Sequence, residues 1–166
     1  MNTKVVIEVL EQDSWERLRE IRLASLEHNP EAFGAKLSSE IQYLENHWRE
    51  RMDRNTFCVA SVGGADVGIM FVEEAPGDFG VTCWLSGCWV SQEYRGQGVM
   101  RAFIDFMDSQ IEVRNWMTHG LGVWTDNHEA KAAYERLGFI SMGEPQPSTR
   151  QSGKFYQRMV RTSPAK

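Results

Sequence analysis

No window of this chain approaches the roughly eighteen consecutive apolar residues that a membrane-spanning helix needs, and Met1-Asn2-Thr3-Lys4 leads into no apolar core of signal length. These absences argue against a membrane protein and for a cytoplasmic one. A basic stripe is also missing. The net charge is -5, and Arg150, Lys154, Arg158 and Arg161 are too dispersed to form a nucleic-acid surface. His28, His47, His119 and His128 show no metal-ligand spacing, so no metal is expected. Cysteine is scarce and odd in number: Cys58, Cys83 and Cys88 lie in or beside apolar strand-like runs and read as reduced thiols packed in the core. Repeats and low-complexity tracts are absent. A chain of 166 residues with 42% apolar and 25% charged residues therefore reads as a single globular domain, 1–166.

What is present is a mixture of strand and helix patterns. Lys4 to Leu10 is a β-favouring run, and Asp13 with Glu16 reads as a helix start ahead of Trp15, Leu18 and Ile21, ended by Asn29-Pro30. Ser39 with Gln42 reads as a capping box for a second helix carrying Ile41, Leu44, Trp48 and Met52. Phe57 to Val62, Gly63-Gly64 and Val67 to Val72 predict a hairpin. A strand ending at Val90, another at Leu121 to Trp124, and a pair at Phe139 to Met142 and Phe155 to Val160 around a polar loop from Glu144 to Lys154 complete the pattern. The expected class is α/β with a mixed central sheet and helices on both faces.

Two segments carry chemistry. In the first, Glu93-Tyr94-Arg95-Gly96-Gln97-Gly98-Val99-Met100, a glycine turn joins the strand ending at Val90 to a helix whose Val99, Phe103, Phe106, Met107 and Ile111 share a face. Unpaired amides and the positive dipole end at such a helix start suit a phosphate, although two glycines there can equally be a tight connection. Arg101 stands where a dinucleotide-binding fold needs a third glycine, and the Gly-Lys-Ser/Thr of a P-loop is absent. In the second segment, Asn127 to Phe139, Asp126 with Glu129 reads as a helix start, and Gly138 as the left-handed residue after its end.

These residues resemble the two signatures of the GNAT N-acetyltransferase family. The first is Arg/Gln-x-x-Gly-x-Gly/Ala, which Arg95, Gly98 and Val99 fit while Met100 stands where the family prefers glycine or alanine. The second is Asn-x-x-Ala-x-x-x-Tyr-x-x-x-Gly-Phe, matched from Asn127 to Phe139. The resemblance implies a GNAT-like acyl-CoA N-acyltransferase fold and an acetyltransferase using acetyl-coenzyme A as cosubstrate. It places the pyrophosphate on Arg95, Gly96, Gln97, Gly98, Val99 and Met100, and the pantetheine arm on main-chain groups of Cys88 and Val90, where the strand ending at Val90 splays from that ending at Trp124. Asn127 would bind the arm, or only cap its helix. Tyr134 would protonate the leaving thiolate with a phenol of pKa roughly 10, or only pack as a core aromatic.

The implied reaction is direct attack of a primary amine on the thioester. The expected acceptor is a small molecule, less readily a protein, and a homodimer is compatible with this without being required. The glutamate many relatives keep before the strand end would fall at Trp84. The base is therefore unassigned among Glu40, Glu45, Glu73, Glu74 and Asp126, each of which is equally readable as a solvated surface carboxylate. Phe33, Tyr43, Trp48, Trp84 and the loop after Gly143 are expected to wall the acceptor. The competing possibility is a non-catalytic acyl-coenzyme A-binding regulatory or structural domain, favoured by Met100 and the missing glutamate and opposed by Asn127 and Tyr134.

Overall fold

The computed structural model describes residues 4–164; residues 1–3, the start of the N-terminal segment considered above, and 165–166 lie outside the described residues. The strands are β1 (Val5–Val9), β2 (Thr56–Val62), β3 (Ala65–Glu73), β4 (Cys83–Val90), β5 (Thr118–Trp124), β6 (Ile140–Pro147) and β7 (Phe155–Thr162). The helices are α1 (Trp15–His28), α2 (Leu37–Glu40), α3 (Glu45–Arg54), α4 (Val99–Asp108), α5 (Ile111–Arg114) and α6 (His128–Arg136). The strands form one mixed sheet in the order β1-β2-β3-β4-β5-β7-β6. Pairing is parallel between β4 and β5 and antiparallel at β1-β2, β2-β3, β5-β7 and β7-β6.

The chain makes two compact units: one of residues up to 73 together with 87–106, the other of 74–86 together with 107 onward. In the first, Leu18, Ile21 and Leu26 of α1 and Trp48 of α3 share a core with Phe57, Val59, Ile69, Phe71 and Trp89. Burying each large side chain there contributes about 1.5–3 kcal/mol. The hairpin forms as expected, with Gly63 at φ +58° and Gly64 at φ +84° supplying the turn between Val62 and Ala65, which are register partners. The apolar stripe of α4 falls on Val99, Phe103, Ile104 and Met107, all buried. Phe103 and Val99 come so close to β3 that a Cβ at Gly68 would stand 3.2 Å from both.

Several local expectations are corrected. Asp13 lies in a single 3-10 turn, Gln12–Ser14, and α1 starts after Ser14 without a side-chain cap bond. Ser39 ends up inside the short α2, Gln42 donates back to Ser38 O at 3.0 Å, and α3 starts only after Leu44, whose N–H donates to His47 Nδ1 at 3.2 Å. Three helices therefore precede β2 instead of two. α4 stops at Asp108, so Ile111 opens α5 instead of extending the stripe. β6 runs on to Pro147, past the expected loop start, with its register shifted between Met142 and Gln146. It is an edge strand, where a proline forfeits no ladder bond on its open side, so Pro145 and Pro147 do not end it.

Candidate functional site

In the first unit the turn between β4 and α4 is built around two positive-φ glycines, Gly96 at φ +74° and Gly98 at φ +84°. A Cβ at either would meet nothing within 4 Å, so the backbone conformation, not crowding, is what demands glycine here. The first bond closing α4 runs from Ala102 N to Gly98 O at 2.9 Å. The amides ahead of it have no carbonyl to meet within the helix, and they sit at the positive end of the dipole. This open, exposed main chain fits an anion.

The side chains around the turn work as braces. Arg95 Nε donates to Val90 O at 2.9 Å and its Nη2 to Asn29 Oδ1 at 2.8 Å, and the same Asn29 oxygen accepts from Trp89 Nε1 at 2.9 Å. Gln97 Nε2 donates to Glu93 O at 2.8 Å. The end of β4, the end of α1 and the turn are thus tied together. Val99 is buried under the turn, Met100 half-buried beside it. Sequence reasoning missed Gly87, which takes φ +60° within β4 immediately before Cys88 and whose Cβ would stand 2.8 Å from the Phe71 ring. An isolated glycine inside an apolar strand was the available signal for such a distortion.

In the second unit β4 and β5 pair through Cys83 with His119 and Trp84 with Gly120. These pairs lie near the start of β4 and near the start of β5. After β5, Asn127 caps α6: its Oδ1 accepts from Ala130 N at 3.2 Å. The expected cap, Asp126, instead lies 3.5 Å from Lys154 Nζ. Capping uses the Asn127 oxygen and leaves its amide N–H groups without a partner among the described residues. At the other end Phe139 N bonds Tyr134 O at 3.1 Å and Gly138 N bonds Glu135 O at 3.0 Å, with Gly138 at φ +100°. This is a Schellman closure. Its accompanying apolar contact is Tyr134 against Phe139, ring centroids 5.7 Å apart and edge-on at 68°. Tyr134 is half-buried, so a packing role for its ring is established.

The sequence pattern of the acetyltransferase (GNAT) domain matches residues 53–141, more than half of the chain and both signature segments. The chain belongs to the GNAT acetyltransferase family. Solved GNAT structures resemble it over nearly their whole length. The ribosomal-protein-S18-alanine N-acetyltransferase of Escherichia coli superposes with a TM-score of 0.66 at 19% identity, covering 98% of this chain and 96% of that one. A GNAT acetyltransferase of Streptococcus pneumoniae gives 0.73 at 15%, covering 97% and 100%. The spermidine N-acetyltransferase of Vibrio cholerae, in complex with CoA and spermine, gives 0.70 at 15%, covering 96% and 95%. At these identities the likeness establishes the mixed-sheet GNAT fold. No curated protein matches the sequence.

Against that GNAT frame, several of the expected acceptor and base residues turn out to be structural. Trp48 is wholly buried and Phe33 nearly so, both inside the first unit's core, while Tyr43 stacks on His47 at 5.3 Å. Trp84 lies over β5, where a Cβ at Gly120 would stand 2.6 Å from its ring. Gly143, at φ +71°, holds the Phe79 ring, itself covered by the Arg158 guanidinium 4.8 Å from its centroid. Glu40, expected in solvent, is only 4% exposed: Arg22 Nε and Nη2 grip its two oxygens at 2.9 and 3.0 Å and Arg51 adds a contact at 2.7 Å. Burial alone would raise its pKa, but Arg22 and then Arg51 outweigh this and hold it below the usual carboxylate value. A carboxylate so held is a poor base. Glu74 accepts from Trp116 Nε1 at 3.0 Å, and Glu45 pairs with Arg49 at 2.8 Å. No disulfide links Cys58, Cys83 and Cys88; the first two are buried and the third half-buried.

Proposed function

We propose that the chain is an N-acetyltransferase that moves the acetyl group of acetyl-coenzyme A to the primary amine of a small molecule by direct attack, with residues 1–166 as one catalytic domain. The observation that carries this is the open glycine turn Arg95–Met100 at the start of α4, inside the segment that matches the GNAT family. In this reading the main chain of Gly96 to Met100 takes the pyrophosphate, and that of Cys88 and Val90 takes the pantetheine arm. Arg95 holds the turn in shape through Val90 and Asn29. Asn127 offers its amide nitrogen to the arm while its oxygen caps α6. Tyr134 delivers the proton that the departing thiolate needs.

An alkyl amine with a pKa of about 10.4 is almost fully protonated near neutral pH, and freeing it costs on the order of 4–5 kcal/mol. A base, acting directly or through water, must take that proton. Trp84 stands where relatives keep a glutamate, and Glu40 is locked between arginines, which leaves solvent and the exposed Glu45, Glu73, Glu74 and Asp126 as the routes this chain offers. A small-molecule acceptor is supported by the polyamine complex of the Vibrio cholerae relative, and a protein amine by the S18-alanine activity of the Escherichia coli one. The deciding assay incubates the protein and acetyl-coenzyme A with spermine, amino acids, aminoglycoside-type amines and an alanine-initiated peptide, and follows both free thiol and N-acetyl product. Acetylated small amine is the expected result. Tight coenzyme binding with no acetylated product from any amine would instead identify a non-catalytic acyl-coenzyme A-binding domain.

A further inference from the structure

Within the second unit one buried guanidinium bonds the end of the helix that carries Tyr134. Arg161, in β7, is 7% exposed and uses three N–H groups: Nε donates to Leu137 O at 3.0 Å, and Nη1 and Nη2 donate to the two oxygens of Asp108 at 2.8 Å each. Leu137 is the C-cap of α6, three residues past Tyr134, and the Schellman closure on the Tyr134 carbonyl follows directly. Bidentate carboxylate pairing fixes the plane of the guanidinium and so the direction of the third bond. Ser163 Oγ donates to Asp108 as well, at 2.5 Å.

Behind this pair lies His119, wholly buried in β5. Its Nε2 is 2.9 Å from Trp116 O, an atom that only accepts, which assigns the proton to Nε2 and leaves the Nδ1 lone pair facing Arg161 Nη1 at 3.4 Å. Ser163 Oγ is 3.3 Å from Nε2. The other groups around the imidazole supply no second negative charge. Cys83, its register partner in β4, has a thiol pushed up to about 12 by burial and stays neutral. Asp108 is already matched by Arg161: burial would raise its pKa, but the donors on Arg161 and Ser163 hold it below its usual value. A proton on Nδ1 would therefore set a cation against the guanidinium.

We infer that Arg161 is a positioning residue of the acetyl transfer, setting the last turn of α6 and with it the Tyr134 hydroxyl through the Leu137 carbonyl, and that uncharged His119 is the condition for it. The inference rests on Tyr134 as proton donor. Burial first, and the Arg161 charge with it, holds the His119 pKa below its ordinary 6.5, against the opposing pulls of Trp116 O and Asp108. As pH falls below 6.5 the unfolded chain takes up a proton that the folded state resists, so stability declines through that window, while turnover declines only further down, where the folded His119 itself takes the proton.

The test is Arg161→Lys, which keeps the charge but cannot offer three fixed N–H directions, made in the wild type and in Tyr134→Phe. Turnover is read with acetyl-coenzyme A and the best amine of the panel, and amide hydrogen exchange is read at Gly138 and Phe139. In the wild-type background kcat should fall about tenfold with the KM for acetyl-coenzyme A nearly unchanged, and exchange at Gly138 and Phe139 should quicken. On top of Tyr134→Phe it should add no further loss. Unchanged kcat, unchanged exchange, or an equal loss in both backgrounds overturns the assignment. Ser163→Ala, a milder loosening of Asp108, is carried through the same comparison and decides it if Arg161→Lys does not fold. His119→Gln should remove the acid limb of kcat that lies below the ordinary histidine value, and an unaltered limb overturns the role of His119. Full turnover in Tyr134→Phe alone would refute the proton donor, while the exchange rates would still decide whether Arg161 sets the helix end.

Discussion

The glycine turn Arg95–Met100 and helix α6 belong to the same family signature set, yet they are built on opposite principles. At the turn the main chain is what a ligand can use: Gly96 and Gly98 stand in open space at positive φ, and the side chains of Arg95 and Gln97 are bonded to carbonyls and to Asn29. In α6 the end of the main chain is closed on itself by the Schellman bonds, and side chains carry the structure and, in the proposed function, the chemistry. Asn127 caps the helix with its oxygen and Tyr134 packs its ring on Phe139, while the proposed function uses the Asn127 amide nitrogen and the Tyr134 hydroxyl. A backbone site fails when its space is invaded. A side-chain site fails when one atom is removed.

The strongest way to break this contrast is Gly98→Asp, which adds a side chain to a backbone at φ +84° and a negative charge at the helix start. Calorimetric titration with acetyl-coenzyme A should find no binding, whereas near wild-type affinity in a folded variant would show that the turn holds no pyrophosphate. Next comes Tyr134→Phe, which keeps the ring on Phe139. Turnover with a good acceptor should drop roughly a hundredfold or more at nearly constant coenzyme affinity. Turnover equal to wild type would reduce Tyr134 to its packing role.

Asn127→Ala removes the cap and the free amide together, so it should lower thermal stability by about 1 kcal/mol and weaken coenzyme binding as well. Asn127→Asp separates them, since it keeps a capping oxygen without the amide. A variant that recovers stability but not affinity is the expected outcome, and recovery of both would confine Asn127 to capping. The smallest effect belongs to Met100→Gly, which moves the turn toward the family pattern. Affinity should stay equal or improve while stability falls by up to about 1 kcal/mol, and a severalfold loss of affinity in a folded protein would reveal a Met100 contact.

Most of the fold was legible because its signals are local. The hairpin at Gly63-Gly64, the glycine turn before α4 and the Gly138 end of α6 each depend on a backbone conformation that one residue type tolerates best, so residue type alone marks them. The apolar stripe of α4 was legible in period, though Ile104 was missed and Ile111 wrongly added. For the cap of α6 the sequence left both Asp126 and Asn127 open, because they are equally able to cap, and only the path of the chain leaving β5 chooses between them.

Family membership, every strand and the helices α1, α4 and α6 were thus legible in the sequence itself, though not all their bounds, since helix period, strand alternation and glycine conformations act over a few residues. Burial and long-range pairing were decided by the tertiary structure alone. Glu40 looks like any surface carboxylate until Arg22, 18 residues away, and Arg51, 11 residues away, close on it. Trp48 could as well have faced an acceptor as the core that holds it. Arg161 meets Leu137 across 24 residues and Asp108 across 53, separations that leave no trace in local pattern because it is the folded sheet, not the chain, that makes them neighbours.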